Sequence, residues 1–310
     1  MDLPESLREI RSVIDLMRAH EASAPGDGSW ASMRESFARL YRENIPLPAG
    51  VRFKEVSTPV AGVFGECDDF DDDLILLYCH GGGYCLGDAQ SWAPLSGDLG
   101  RRLKMRSFSV EYRLAPEHPY PAANADVFLA YRWLLEVGYE ARDIVIAGDS
   151  AGAALAFSVA LQARDTGLPV PAAVVMLSPW IDLSLSRESI KTKASVDHVI
   201  QESALRLLGE AYMGGQALST DLVSPIFANV EALPPTLIHT GSNEVMLDES
   251  VELARQLGLA NVQVELEIWS HAFHGFHAWH DRLSLARDAL DSVESFIKRV
   301  LASRVEKRRN

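Results

Sequence analysis

The sequence predicts an α/β protein, with a mostly parallel sheet flanked by helices on both faces. Three observations carry this expectation. Short apolar runs of strand length recur between residues 51 and 269, many separated by stretches of helical pattern. The run Asp143-Ile144-Val145-Ile146-Ala147 passes through Gly148-Asp149-Ser150-Ala151-Gly152 into the helix-prone Ala153-Ala154-Leu155-Ala156-Phe157. The apolar run Asp73-Leu74-Ile75-Leu76-Leu77-Tyr78-Cys79 leads straight into His80-Gly81-Gly82-Gly83-Tyr84. At 310 residues, 47% of them hydrophobic, the chain can bury one large core.

The elements follow in order. Leu3, Leu7, Ile10, Ile14 and Met17 recur with a helical period over residues 3–20. Pro25-Gly26-Asp27-Gly28 interrupts the chain, and a second helix over residues 30–43 precedes Pro46 and Pro48. Strands are expected near 51–57, 60–66, 73–79 and 106–112, and a helix over 123–137 after the proline-rich Pro116–Pro121 turn. The strand, turn and helix around Ser150 come next, then a strand over 172–177. Residues 183–222 break the rhythm: they are helical in pattern, with no strand, and include Val196–Ile200 and Tyr212–Gly215. A strand at 235–240, a helix at 249–258, a strand at 262–269 and a closing helix at 282–302 complete the alternation; 304–310 is a charged tail. No internal repeat interrupts it.

Composition excludes several classes. The net charge is −14 with no basic stripe, which argues against a nucleic-acid surface. The one dense acidic run, Asp68-Asp69 with Asp71-Asp72-Asp73, reads as a solvated turn before a strand. Three cysteines (Cys67, Cys79 and Cys85) form an odd set without disulfide-like spacing, which suits a reducing compartment. Cys79 and Cys85 flank the glycine loop and read as small buried hydrophobes. Met1–Ser6 lacks the basic and apolar regions of a signal peptide, and no apolar run reaches the ~18–20 residues that span a bilayer. A cytoplasmic protein without a membrane span is expected.

Two motifs carry chemistry. In a Gly-x-Ser-x-Gly turn between strand and helix, the flanking glycines let the backbone turn sharply and hold the serine hydroxyl at the tip, facing the helix N-terminus. Ser150 is the candidate nucleophile, the simpler alternative being a helix cap. A glycine run directly at a strand end suits an oxyanion hole, where backbone N–H groups meet the charge that develops on an ester carbonyl. The expected donors are Gly82, Gly83 and Ala151.

These residues resemble the hormone-sensitive-lipase-like family of α/β-hydrolases. The resemblance rests on four blocks in order: His80–Tyr84, Tyr112-Arg113-Leu114-Ala115-Pro116-Glu117-His118-Pro119, Gly148–Gly152 and His274-Gly275-Phe276. It spans roughly residues 50–300. The pentapeptide with Ser178–Leu183 and Gly241–Asp248 resembles a bacterial branch that includes acetyl-hydrolases and monoterpene lactone hydrolases. The resemblance implies an α/β-hydrolase core over 49–182 and 223–303, with a helical cap made from residues 1–48 and the insertion 183–222.

A serine needs a base and an acid, which this fold supplies in the chain order Ser, acid, His. Four of nine histidines (His271, His274, His277 and His280) cluster after the strand ending at Trp269. The family's habit of following its base with Gly-Phe, five residues after a Trp, singles out His274; His271 and His277 are alternatives. The three-residue spacing of the four also allows a metal-dependent hydrolase, which Gly275 argues against by interrupting any helix. Laying the family pattern Asp-x-Leu-x-Asp-Glu on Glu244-x-Met246-x-Asp248-Glu249 puts Glu244 at the acid position, with Asp248 as the alternative. Asp149, Arg113, Glu117 and His118 read as loop anchors. The expected activity is that of a serine carboxylesterase acting on small acyl esters or lactones, with no cofactor or metal. A non-catalytic small-ligand receptor on the same fold is the rival, weakened by the retained His274. Family likeness also implies a homodimer paired through an edge strand.

Overall fold

Among the described residues eight strands form one sheet, and their order sets the two glycine-bearing turns side by side. The structure, a computed structural model, describes residues 4–23, 26–57, 59–216 and 222–307. Two helices open the chain, α1 (Glu5–Ser23) and α2 (Trp30–Asn44), followed by β1 (Arg52–Val56), β2 (Gly62–Glu66) and β3 (Asp71–Cys79). Then come α3 (Ala93–Leu103), β4 (Met105–Val110), α4 (Ala122–Glu136), β5 (Ile144–Asp149), α5 (Ala151–Asp165) and β6 (Ala173–Leu177). The short α6 (Ser189–Thr192) and α7 (Glu202–Met213) lie between β6 and β7 (Thr236–Gly241). The chain closes with α8 (Leu247–Leu259), β8 (Val264–Trp269) and α9 (Ser284–Lys307).

The strand order is β1-β2-β4-β3-β5-β6-β7-β8. The pairs β1–β2 and β2–β4 are antiparallel, and the other five are parallel. Strands β5, β6 and β7 are buried along their whole length. They are covered on both faces, which is why they read as continuous apolar runs rather than alternating ones. Side chains of α4, α5 and α8 pack on one face; those of α1, α3 and α9 pack on the other. Cys79 at the end of β3 pairs with Gly148 near the end of β5. Both motif turns therefore leave the same carboxyl edge, where α/β sheets collect their sites.

Two features depart from the expectations. Helix α3 was not foreseen. Gly97 and Gly100 weaken its helical signature, although Pro94 in its first turn and Leu95, Leu99 and Leu103 at four-residue spacing mark a start and a face. Helix α9 runs on to Lys307, past the expected end near 302, because Ala302 to Lys307 contain no helix breaker. Residues 308–310 of the expected tail, 1–3 of the first helix and 217–221 of the insertion lie outside the described residues. Helix α1 is also tied to the body of the fold. Ile10, Val13 and Ile14 share an apolar cluster with Leu290, Val293 and Ile297 of α9. Glu9 accepts from the N–H and hydroxyl of Ser284, at 2.8 and 2.6 Å, and so caps α9. Among the described residues no helix is long and apolar enough to cross a membrane.

Candidate active site

Ser150 stands between β5 and α5 with φ 54° and ψ −123°, a conformation L-residues seldom adopt without support. The support comes from the end of β6. Ser150 N–H donates to Leu177 O at 2.9 Å, and Trp180 N–H donates to Ser150 O at 3.1 Å. Glycine is required on both sides. A Cβ on Gly148 would lie 2.3 Å from Gly152 O, and one on Gly152 would lie 2.1 Å from Cys79 O. The start of α5 thus rests on the backbone end of β3, which carries the glycine loop.

Three expected residues meet here. His274 Nε2 lies 2.9 Å from Ser150 Oγ, and His274 Nδ1 lies 2.9 Å from Glu244 Oε2. A carboxylate only accepts, so Nδ1 carries the hydrogen toward Glu244 and the Nε2 lone pair faces the serine hydroxyl. Ser150 and His274 are each 8% exposed and Glu244 is 0% exposed, so the carboxylate is sealed from solvent while the other two residues keep a little contact with it. Burial alone would lower the basicity of His274. The Glu244 hydrogen bond and charge, helped by Asp197 and Asp149, outweigh it and raise the pKa above the ordinary histidine value.

Glu244 is itself held on its other oxygen. Oε1 accepts from Ser178 Oγ at 2.7 Å and from Gly241 N–H. Ser178 Oγ also accepts from Gly275 N–H at 3.2 Å, so one hydroxyl ties the acid loop to the histidine loop. The sequence singled out Ser178–Leu183 without giving Ser178 a role. Its position at the carboxyl end of β6 was the available signal. Asn243 N–H donates to Ala272 O at 3.2 Å, and His271 N–H donates to Ser242 Oγ at 2.8 Å, lacing the same two loops together. Asp248, the alternative acid, turns elsewhere: its Oδ2 accepts from Ser189 N–H at 2.7 Å.

The four clustered histidines diverge. His271 is exposed, with φ 62°. His277 Nε2 faces His239 Nδ1 at 3.3 Å, and burial drives the His277 pKa well below the ordinary value. His280 lies 3.8 Å from Asp98. Among the described residues no group of three or more His, Cys, Asp or Glu could hold a metal ion. Cys79 and Cys85 are buried and unpaired, and burial pushes the Cys85 thiol up to about 12, which keeps it from acting as a thiolate.

The glycine loop is anchored at its root. Asp149 Oδ1 accepts from Tyr78 OH at 2.8 Å and from Gly81 N–H at 2.9 Å. Burial raises the Asp149 carboxyl to about 6 against the pull of these bonds. His80 is pushed down to about 4 by burial, its ring stacked on Tyr112 and its carbonyl accepting from Tyr112 OH. Gly82 has φ 112°, and a Cβ there would lie 2.2 Å from Leu86 O. Among the described residues no hydrogen bond occupies the N–H of Gly82, Gly83 or Ala151. Helix α7 packs on the loop: the rings of Tyr84 and Tyr212 stack with centroids 3.8 Å apart.

A cleft of about 470 Å³ opens between α1, α2 and residues 198–199 of the insertion. Met17, Met33, Phe37, Leu40, Leu86 and Val199 supply its apolar lining. Tyr41, also in its wall, packs on Trp92, which lies against the His80 ring.

The family described as alpha/beta hydrolase fold matches residues 76–278. An acetyl-hydrolase of Streptomyces hygroscopicus is 38% identical over 227 residues, covering 73% of this chain and 76% of the relative. An esterase of Acinetobacter venetianus is 31% identical over 269 residues, covering 84% and 86%. Among solved structures, an esterase from the bacterial hormone-sensitive lipase family superposes with a TM-score of 0.91 at 30% identity, covering 97% of this chain and 100% of that one.

Proposed function

The chain belongs to the alpha/beta hydrolase family, in its bacterial hormone-sensitive-lipase branch, and is a carboxylic ester hydrolase; from that premise we propose that it works through Ser150, His274 and Glu244 by way of an acyl-enzyme. The observation that carries this reading is the unbroken chain of two 2.9 Å contacts from hydroxyl to imidazole to carboxylate. His274 Nε2 takes the Ser150 proton as Oγ bonds to the ester carbonyl carbon. The oxyanion so formed accepts from the N–H groups of Gly82, Gly83 and Ala151. His274 then gives its proton to the departing alkoxide as the C–O bond breaks. Water, deprotonated by His274, attacks the acyl-enzyme; Ser150 recovers its proton as the carboxylic acid leaves. Glu244 keeps its charge throughout and stabilises the imidazolium.

The apolar cleft suits the hydrocarbon part of a small ester. A lactone fits the same cycle, with its alcohol arm tethered to the acyl group until water releases a hydroxy acid. Residues 1–48 and 183–222 act as a cap over the core formed by 49–182 and 223–303. The unpaired cysteines suit the cytoplasm, and the free edge of β8 suits pairing with a second copy. The test is hydrolysis of p-nitrophenyl acetate and butyrate together with labelling by a fluorophosphonate. Ser150→Ala is expected to lower turnover by several orders of magnitude and abolish labelling. Unchanged turnover in Ser150→Ala, or loss of activity with a chelator, would overturn the serine mechanism.

A further inference from the structure

Val245, the residue after Glu244, is gripped on both sides by the insertion. Its N–H donates to Asp197 Oδ2 at 2.9 Å, and its carbonyl accepts from Ser189 Oγ at 2.6 Å. Ser189 also exchanges two bonds with Asp248: its N–H donates to Oδ2, and its hydroxyl accepts from Asp248 N–H at 3.1 Å. Asp197 is 1% exposed. Its other oxygen, Oδ1, accepts from Val199 N–H at 3.0 Å and Ile200 N–H at 2.9 Å. The acid loop therefore takes its position from a segment some fifty residues earlier, in addition to its tie to Ser178.

We propose that Asp197 is a positioning residue for ester hydrolysis: from the insertion it fixes the backbone that carries Glu244, and it adds a second buried negative charge facing His274. The proposal rests on the roles given above to Ser150, His274 and Glu244. Three backbone donors could be met by a neutral amide or hydroxyl oxygen at lower desolvation cost. A charge kept in such a site acts on what lies nearby. The groups facing His274 are Glu244 from the acid loop, Asp197 from the insertion, Asp149 from the end of β5 and His277 from the following turn. Asp149, raised to about 6 by burial, keeps most of its charge near neutral pH and acts from the sheet side, and His277 is held neutral. Asp197 is thus the insertion's own contribution to stabilising the imidazolium that forms when His274 takes the serine proton. Seating of the insertion and basicity of His274 become one event: an insertion that lifts away withdraws both the grip on Val245 and the charge.

The experiment compares Asp197→Asn, Asp197→Glu and Ser189→Ala with the unaltered enzyme, reading kcat and KM for p-nitrophenyl butyrate across pH, with thermal melting as the check on folding. Asp197→Asn is expected to move the acid limb of kcat/KM down by about half a pH unit and to lower kcat about tenfold, with KM little changed. Asp197→Glu is expected to restore the limb. Ser189→Ala, which loosens the grip without touching a charge, is expected to lower kcat and leave the limb in place. A folded Asp197→Asn enzyme whose acid limb coincides with that of the unaltered enzyme overturns the proposal. If Asp197→Asn does not fold, Ser189→Ala decides: kcat within twofold of the unaltered enzyme overturns the grip. Ser150→Ala is run alongside; an active Ser150→Ala enzyme brings down the serine reading itself, whereas an inactive one with an unmoved Asp197→Asn limb brings down only this proposal.

Discussion

Glu244 presents one carboxylate oxygen to His274 Nδ1 at 2.9 Å and the other to the Ser178 hydroxyl at 2.7 Å, with no surface exposed. An acid with both oxygens occupied cannot swing away from its imidazole. Held at both oxygens, the longer side chain can take the orienting role that the proposed mechanism gives it.

The two acid candidates separate by substitution. Glu244 accepts from His274, Ser178 and Gly241, so Glu244→Gln sets an amide NH₂ against at least one donor and removes the charge beside the imidazole. A fall in kcat on the order of a hundred- to ten-thousandfold is expected. Asp248→Asn keeps an acceptor for Ser189 N–H, and kcat is expected to stay within severalfold. Steady-state kinetics on both variants check this; a crippled Asp248→Asn beside a healthy Glu244→Gln would reverse the assignment.

The pH profile follows from the raised basicity of His274. The proposed reaction needs neutral imidazole, so activity is expected to be lost as pH falls through a value above the ordinary ~6.5. The stability effect has the opposite sign. The group's stabilising contribution is complete below ~6.5 and is lost as pH rises through the elevated value. Titrating kcat/KM with p-nitrophenyl butyrate tests this, and an acid limb below ~6.5 would contradict it.

Gly82→Ala is expected to cost both activity and stability. The added methyl would sit 2.2 Å from Leu86 O, at a φ of 112° that alanine rarely adopts. The loop must shift, and with it the proposed amide donor. A loss of about a hundredfold or more in kcat, with a lower melting temperature, is the expected outcome. Kinetics near those of the unaltered enzyme would argue against a donor at this position.

Glu111 offers a stability test away from the site. Its carboxylate accepts from Ala89 N–H at 2.7 Å, but burial, with Asp88 and Glu55 nearby, raises it from the usual 4.5 to about 7. The folded protein then keeps a proton that the unfolded chain releases, so stability from this group falls as pH rises from 4.5 to about 7. Glu111→Gln is expected to raise the melting temperature by a few degrees near pH 8 and by little near pH 4. Thermal melts of both proteins at the two pH values decide it, and equal changes at both would contradict the account.

Most of the sheet was legible because its central strands are buried on both faces and read as unbroken apolar runs. The turn at Ser150 was legible because strand, glycine and helix signals coincide there. His274 and Glu244 needed the family pattern, since neither carries a local signal that separates it from His277 or Asp248. Helix α3 was hidden by Gly97 and Gly100, which permit close packing but lower helix propensity. Ser178, Ser189 and Asp197 were out of reach because their roles consist of contacts to residues 48 to 97 positions away, and such pairings leave no periodicity in a single chain.

The docking of α1 against α9 has a practical side. Ile10, Val13 and Ile14 cover an oily strip that also contains Leu290, Val293 and Ile297. Trimming the first twenty-odd residues to open the cleft would leave that strip bare on the outside of the molecule. Such a shortened protein should clump before it shows a broader appetite for large esters, so widening the cleft is better attempted one side chain at a time, at Met33 or Leu40 on the neighbouring helix.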